Sequence, residues 1–184
     1  MDIRVIKSKK AIKSALKKLM VEKGIDQITI CQIAQDAQIN RKTFYNCYRD
    51  INEVLEEIED ETIKRFTDTI LSIELKRGIF DPYLFYEKLS LILNEDLDFF
   101  EILFTEKNLG FSEKIVNSVI EKAKQEIKKQ SNSNDPKLDF TATFLISGMF
   151  SIFYKWVSNG RTESIDEISK TVGKLMIGAL REII

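Results

Sequence analysis

The sequence predicts an all-α protein of about nine helices, and three observations carry that reading. Only seven Gly and two Pro are spread over 184 residues, whereas an all-β fold needs a turn roughly every 8–12 residues. Apolar residues recur at three- and four-residue steps rather than in alternation, the signature of helices with one buried face. Polar capping residues stand where the periodic runs begin, often with Gln or Glu three positions on.

Taken in order, Ile12, Ala15, Leu16, Leu19 and Met20 make one face of a basic helix running from Lys7 to Lys23, and Gly24 ends it. Thr29 and Gln32 form a capping box for a two-turn helix from about Ile30 to Ala37 with Ile33 and Ala34 inward. Asn40 caps a third short helix that begins Arg41-Lys42-Thr43-Phe44-Tyr45-Asn46. Asp50 and Glu53 make a further capping box for a long fourth helix to about Lys76, with Val54, Leu55, Ile58, Thr62, Phe66 and Ile70 on its inner face.

Gly78 closes the fourth helix, and Asp81-Pro82 opens the fifth with a cap and a proline at the first position, where a missing N–H costs nothing. Two helices over 83–93 and 96–105 are expected to break near Asn94, and Ser112 is expected to cap a seventh that reaches Gln130. The polar run 131–136 reads as a flexible loop. The last two helices, over about 138–158 and 164–182, meet at Asn159-Gly160. The first of this pair is apolar nearly all round (Phe140, Phe144, Met149, Phe150, Phe153, Trp156), so it must be covered on more than one side.

Composition narrows the function. The chain has no histidine, which removes the commonest general base and the commonest metal ligand. Cys31 and Cys47 form no CxxC, so neither a zinc cage nor a disulfide framework is expected; both read as inert core cysteines. Glu56, Glu57, Asp60 and Glu61 read as the solvated side of the fourth helix rather than as paired catalytic carboxylates. A helical enzyme is therefore the disfavoured alternative, and no cofactor or metal is expected. The start, Met1-Asp-Ile-Arg, lacks an apolar signal core, and no run approaches 18 uninterrupted apolar residues. A cytoplasmic location without a membrane partner is the expectation.

The charge balance of 28 Lys+Arg against 29 Asp+Glu hides a division. The first fifty residues hold eleven basic and five acidic side chains, a balance of +6, and the remaining 17 basic and 24 acidic ones leave −7. A basic end on an acidic body points to a polyanion partner.

Two short capped helices joined by a tight turn and preceded by a basic helix make a helix-turn-helix unit, whose second short helix is the one that enters a DNA major groove. Ile33, Ala34, Ile39, Phe44 and Cys47 supply an inner face, while Arg41, Lys42, Thr43, Tyr45 and Asn46 project. Arg41 and Lys42 suit phosphates or guanine, Thr43 a thymine methyl and Asn46 adenine. Lys7, Lys9, Lys10 and Lys13 suit flanking phosphates, with salt-sensitive affinity.

The run from Ile30 to Asp50, with Glu22-Lys-Gly24 before it, resembles the DNA-binding domain of TetR-family transcriptional regulators. Its Ile33-Ala34 pair, Thr43-Phe44-Tyr45 triplet, Tyr48 and Asp50 carry the likeness. The resemblance implies a dimeric, ligand-responsive DNA-binding protein with base or nearby backbone contacts from Arg41, Lys42, Thr43 and Asn46 and phosphate contacts from Tyr45 and Thr29. The family usually has Gly where this chain has Gln38, so Gln38 is expected at positive φ. It often has a phosphate-binding Lys where this chain has Ile51. The stretch Phe144–Gly160 with Glu163-Ser-Ile-Asp-Glu-Ile168 also looks like regulators of dihydroxyacetone-kinase operons.

The expected organisation is a helix-turn-helix domain over 1–50 and an effector-binding and dimerisation domain over 51–184. Small residues Ser147, Gly148 and Ser151, with a stripe of Ile165, Ile168, Val172, Leu175, Met176 and Ala179 on the last helix, point to a homodimer through the last two helices. The aromatic residues Phe80, Tyr83, Phe85, Tyr86, Phe99, Phe100 and Phe104 read mainly as core, with some available to line an effector pocket. The expected function is repression at a pseudo-palindromic operator on double-stranded DNA, relieved by a small-molecule effector. An activator, or a regulator controlled by a protein partner, is the alternative on the same fold.

Overall fold

A computed structural model describes residues 2–73, 81–103, 109–131 and 136–181. Among the described residues there are nine α-helices: α1 (Ile3–Lys23), α2 (Ile30–Asp36), α3 (Arg41–Tyr45), α4 (Ile51–Leu71), α5 (Pro82–Asn94), α6 (Leu97–Leu103), α7 (Leu109–Ser131), α8 (Pro136–Ser158) and α9 (Ile165–Arg181). The all-α class is as the periodicity and the scarcity of turn residues predict. Two compact units are formed, one by Met1–Thr62 with Asp98–Ile102 and the other by Ile63–Leu97 with Leu103–Ile184.

In the first unit, α1 starts four residues ahead of the expected Lys7, because the Asp2 carboxylate accepts the Arg4 N–H at 2.9 Å and caps it there. It ends at Gly24, which sits at φ 77° and donates its N–H to the Met20 carbonyl. The capping box of α2 forms as expected: Gln32 N–H donates to Thr29 Oγ1, and Thr29 N–H donates back to Gln32 Oε1. Ile12, Leu16, Ile33 and Phe44 are completely buried, so α1, α2 and α3 share one core.

The turn between α2 and α3 is a Schellman motif. Ile39 N–H donates to the Ala34 carbonyl at 2.9 Å and Gln38 N–H to the Gln35 carbonyl at 3.1 Å, which places Gln38 at φ 53°. The positive φ expected at Gln38 is therefore present, and its cause is the pair of carbonyls that must be satisfied at the end of α2. The same device ends α8, where Arg161 N–H reaches the Trp156 carbonyl and Gly160 N–H the Val157 carbonyl, with φ 75° at Gly160 and 57° at Arg161.

At the start of α4 the Asp50 carboxylate accepts the Glu53 N–H at 2.9 Å, but the Glu53 carboxylate returns to the Arg49 N–H at 2.6 Å, one residue outside the expected box. Of the expected inner face the helix buries Val54, Ile58, Thr62, Phe66 and Ile70 and leaves Leu55 half-buried, and it stops at Leu71 rather than near Lys76. Gly78, Phe80, Phe104 and the loop residues 132–135 lie outside the described residues.

In the second unit α5 packs on α9 and α7 on α8. Asp81 caps α5 by accepting the Tyr83 and Leu84 N–H groups, with Pro82 at the first position. Ser112 is not a cap: α7 begins at Leu109 and Ser112 lies inside it. Phe85 meets Tyr86 and Phe150 edge to face, at 5.1 and 5.5 Å between centroids, and Tyr86 donates its hydroxyl to the Met149 carbonyl at 3.2 Å. These rings are core packing, with a polar tip satisfied as a buried Tyr requires. Burial raises the Tyr86 hydroxyl's pKa above its ordinary value. Ser164 and Glu167 exchange a capping box at the start of α9. Residues 139–158 of α8 are long and apolar enough to cross a bilayer by length and composition; Met149, Phe150, Phe153, Trp156 and Val157 are instead buried within the unit, as in a bundle helix.

A left-handed conformation costs a residue with a Cβ about 1–2 kcal/mol, partly offset by the chain entropy that Gly loses on folding. Gln38 is exposed. Gln38→Gly is therefore expected to stabilise the protein by about 0.5–1 kcal/mol, read as a higher urea midpoint at unchanged slope.

Candidate nucleic-acid interface

The α3 helix has five residues, too few to persist through its own hydrogen bonds. It is held at its start by Asn40, whose side-chain oxygen accepts the Thr43 N–H at 2.8 Å and the Thr43 hydroxyl at 3.0 Å. Phe44 anchors it from within, fully buried between Tyr45, met edge-on at 5.8 Å, and Tyr48 at 6.1 Å. With Phe44 inward, Arg41, Lys42, Tyr45 and Asn46 are all exposed and Thr43 is half-buried.

These outward groups form a continuous polar face with α2. The Tyr45 hydroxyl beside the Arg41 guanidinium raises Arg41's pKa above its ordinary value. Cys31 is exposed, which corrects the expectation of an inert core cysteine: two residues before the buried Ile33, it lies across α2 from it. Cys47 is half-buried, and burial first of all pushes its thiol pKa up.

The sequence-predicted residues divide into two groups. Arg41, Lys42, Tyr45 and Asn46 lie together on α3, and Thr29 is exposed at the start of α2. Both donors of Thr29 are engaged with Gln32, its N–H at 3.0 Å and its hydroxyl at 3.1 Å from Oε1, so a phosphate would have to displace that oxygen. Lys7 and Lys10 are exposed on α1. Lys9 and Lys13 are turned the other way. Lys9 donates to Glu57 at 2.6 Å, and Lys13 donates to Glu57 at 3.2 Å and Glu61 at 2.5 Å.

Glu57 is therefore not part of a simple solvated face of α4, as its acidic neighbourhood suggests; its side chain is 31% exposed and holds two lysines. Burial pushes its carboxyl up in pKa, but the hydrogen bonds from Lys9 and Lys13 outweigh it and leave the group below the ordinary carboxylate range. Lys13 mirrors this. Burial pulls its pKa down, and the hydrogen bonds from Glu61 and Glu57 bring it above the usual value. The sequence signal was present as Lys9/Lys13 and Glu57/Glu61, each pair spaced four apart on its helix. Arg49, strongly exposed beside the start of α4, is a further cation of this face that the motif reading left unassigned.

Residues 81–178 match the TetR_C_8 family, a transcriptional regulator C-terminal region. No curated protein matches the chain significantly in sequence. Among solved structures, the dihydroxyacetone kinase operon activator DhaS is similar at 21% identity, over 95% of this chain and 96% of that one, with a TM-score of 0.61. A TetR transcriptional regulator from Streptococcus agalactiae is similar at 17% identity over 94% and 95%, with a TM-score of 0.64. NalD, the secondary repressor of the MexAB-OprM multidrug efflux pump in Pseudomonas aeruginosa, is similar at 19% identity over 96% of each chain, with a TM-score of 0.63. At these identities the structures share the fold, extending over both compact units. The family match covers more than half of the 184 residues, and the chain belongs to the TetR family of transcriptional regulators.

Proposed function

We propose that this regulator binds a pseudo-palindromic operator as a homodimer, with α3 in the major groove, and that a small-molecule effector in the second unit releases it. The observation that carries this reading is the capped five-residue α3, with Phe44 buried and Arg41, Lys42, Tyr45 and Asn46 presented outward. On that face Arg41 and Asn46 have the donors and acceptors to read guanine and adenine edges, and the Thr43 methyl suits thymine. Lys42, Tyr45, Thr29, Lys7 and Lys10 are placed as phosphate contacts, which set register without carrying sequence information. A regulator of this kind works where the DNA is, in the cytoplasm.

The dimer surface is supported by a different set of residues. Phe140 and Phe144 on α8 are 72% and 69% exposed, and Gly148 and Ser151 continue the same stripe; Leu175 on α9 is 63% exposed. Nothing lies within 4 Å of where a Cβ on Gly148 would stand, so the stripe is open to a second helix. Pairing α8 and α9 with their copies would bury these side chains in a four-helix interface. A two-fold dimer then sets two α3 helices about 34–36 Å apart, one turn of DNA. An effector acts by binding more tightly to a state with another separation. α4 is suited to transmit the change, since it is one unbroken helix whose residues 51–62 group with the first unit and 63–71 with the second.

DhaS is an activator and NalD a repressor, so proteins of this fold serve both directions of control. Repression is the direction we propose, because occupancy of a promoter site needs only DNA binding. A transcription assay on a promoter carrying the selected operator decides it: reduced transcript supports repression, and increased transcript the activator reading.

Selection of fragments of the protein's own genomic DNA by the purified chain, followed by footprinting, tests the central claim. Lys42→Ala is expected to weaken binding about equally across sequences and to reduce the salt slope by about one, and Tyr45→Ala to weaken it while sedimentation still gives a dimer. Unchanged affinity in both variants would place the reading face elsewhere. Phe144→Asp is expected to give a helical monomer in sedimentation, with operator affinity lost at nanomolar concentrations of protein.

A further inference from the structure

Two of the lysines in the basic helix are withheld from the surface, and their partners form one connected cluster. The Lys9 ammonium donates to Glu57 at 2.6 Å and lies 4.6 Å from the centroid of the Tyr48 ring. One turn further, Lys13 bridges Glu57 and Glu61. The lysine side chains are only 25% and 16% exposed, unlike the surface pair Lys64–Asp68, at 77% and 54%. Tyr48 follows α3 directly, is 2% exposed, and packs on Phe44. Its hydroxyl is buried beside Glu57 without a hydrogen bond of normal geometry. An unbroken series of contacts thus runs from Phe44 in α3 through Tyr48 to Lys9 in α1, and on to Glu57 in α4.

We propose that Glu57 is a positioning residue for sequence reading: by holding Lys9 and Lys13 it fixes the first turns of α4 to α1 and, through Lys9 against the Tyr48 ring, sets the angle at which α3 is presented. This rests on the reading of α3 as the DNA-reading helix. Electrostatics alone predicts the opposite sign, since a carboxylate in a DNA-binding unit repels phosphates and its removal strengthens all DNA binding. A partly buried ion pair that loses one partner leaves the other charge stranded, and the local packing adjusts around it. Angular looseness in α3 penalises base reading, which needs fixed geometry. Phosphate attraction is far less sensitive to it.

The full-length protein is compared as wild type, Glu57→Gln and Lys9→Gln on the selected operator and on a scrambled duplex of equal length. For Glu57→Gln, operator affinity is expected to fall roughly tenfold while affinity for the scrambled duplex holds or rises, so specificity drops. For Lys9→Gln, the same loss of specificity is expected. Tighter operator binding by Glu57→Gln, or equal loss on both duplexes, would overturn the proposal. Hydrogen exchange in the absence of DNA separates this from the functional reading: amides of residues 41–48 are expected to exchange faster in Glu57→Gln, with those of α7 and α9 unchanged. Unaltered exchange at 41–48 overturns the clamp even if DNA binding behaves as expected. If α3 does not read DNA, Lys42→Ala leaves operator affinity intact, and the exchange result still decides whether Glu57 holds α3.

Discussion

A helix of five residues cannot hold itself in place, and the first unit is organised around that constraint. Helix nucleation fixes about three residues for the first hydrogen bond, so α3 exists only because its surroundings meet that cost. Asn40 satisfies the orphan Thr43 N–H at the start, the Schellman turn at Gln38 delivers the chain at a fixed angle, and Phe44 fastens the helix to the core. The helix ends almost at once in Tyr48, which is buried against Phe44 and beneath the Lys9 ammonium. Short length has a function of its own. With one inward anchor and four outward side chains, nearly the whole surface of α3 is available to a partner, at the cost of depending on every neighbour for its orientation.

That dependence explains why some features were legible in the sequence and others were not. Caps are local chemistry: Thr29 with Gln32, Asn40 with Thr43 and Asp81 with Pro82 each state their own geometry within four residues. The positive φ at Gln38 came from the family resemblance, which has Gly at that position, and its cause, the last carbonyls of α2 satisfied by the following N–H groups, is a finding of the structure. Ser112 misled because a good capping residue three positions inside α7 looks, in one dimension, like its start. Glu57 and Cys31 misled for a related reason. Five acidic residues within six positions suggest a solvated helix face, and a cysteine suggests core. Which face meets α1 and which meets water is decided by partners 44–48 residues away in sequence, beyond the reach of any local pattern.

The charge division sharpens in the same way. The +6 of the first fifty residues is a sum over side chains with different commitments. Lys9 and Lys13 are bound to Glu57 and Glu61, and Lys18 to Asp36, all within the first unit. The exposed cations on α1 and α3 outside these pairs are then Lys7, Lys10, Arg41 and Lys42, together with Arg4 near the start, while Arg49 before α4 is paired with Glu53. Net charge overstates the phosphate contacts such a face makes, because a lysine already neutralised by a carboxylate releases no extra counterion when DNA arrives.

The apolar surface of α8 is resolved by the same distinction between what one chain can cover and what it leaves. Phe150, Phe153 and Trp156 are buried by their own unit, with Phe85 and Tyr86 packed against them. Phe140 and Phe144, on the opposite stripe, are left to water together with the open surface at Gly148. Two exposed phenylalanines one turn apart are costly to leave in water at about 25 cal/mol per Å² of apolar surface, and they stand on a helix whose buried residues, among those described, begin only at Met149. In the proposed homodimer a second copy removes that cost on both chains at once through an isologous contact, in which each residue serves twice. On that reading the excess of apolar residues on one helix is an assembly instruction, and the spacing of the two α3 helices on DNA follows from how that surface is closed.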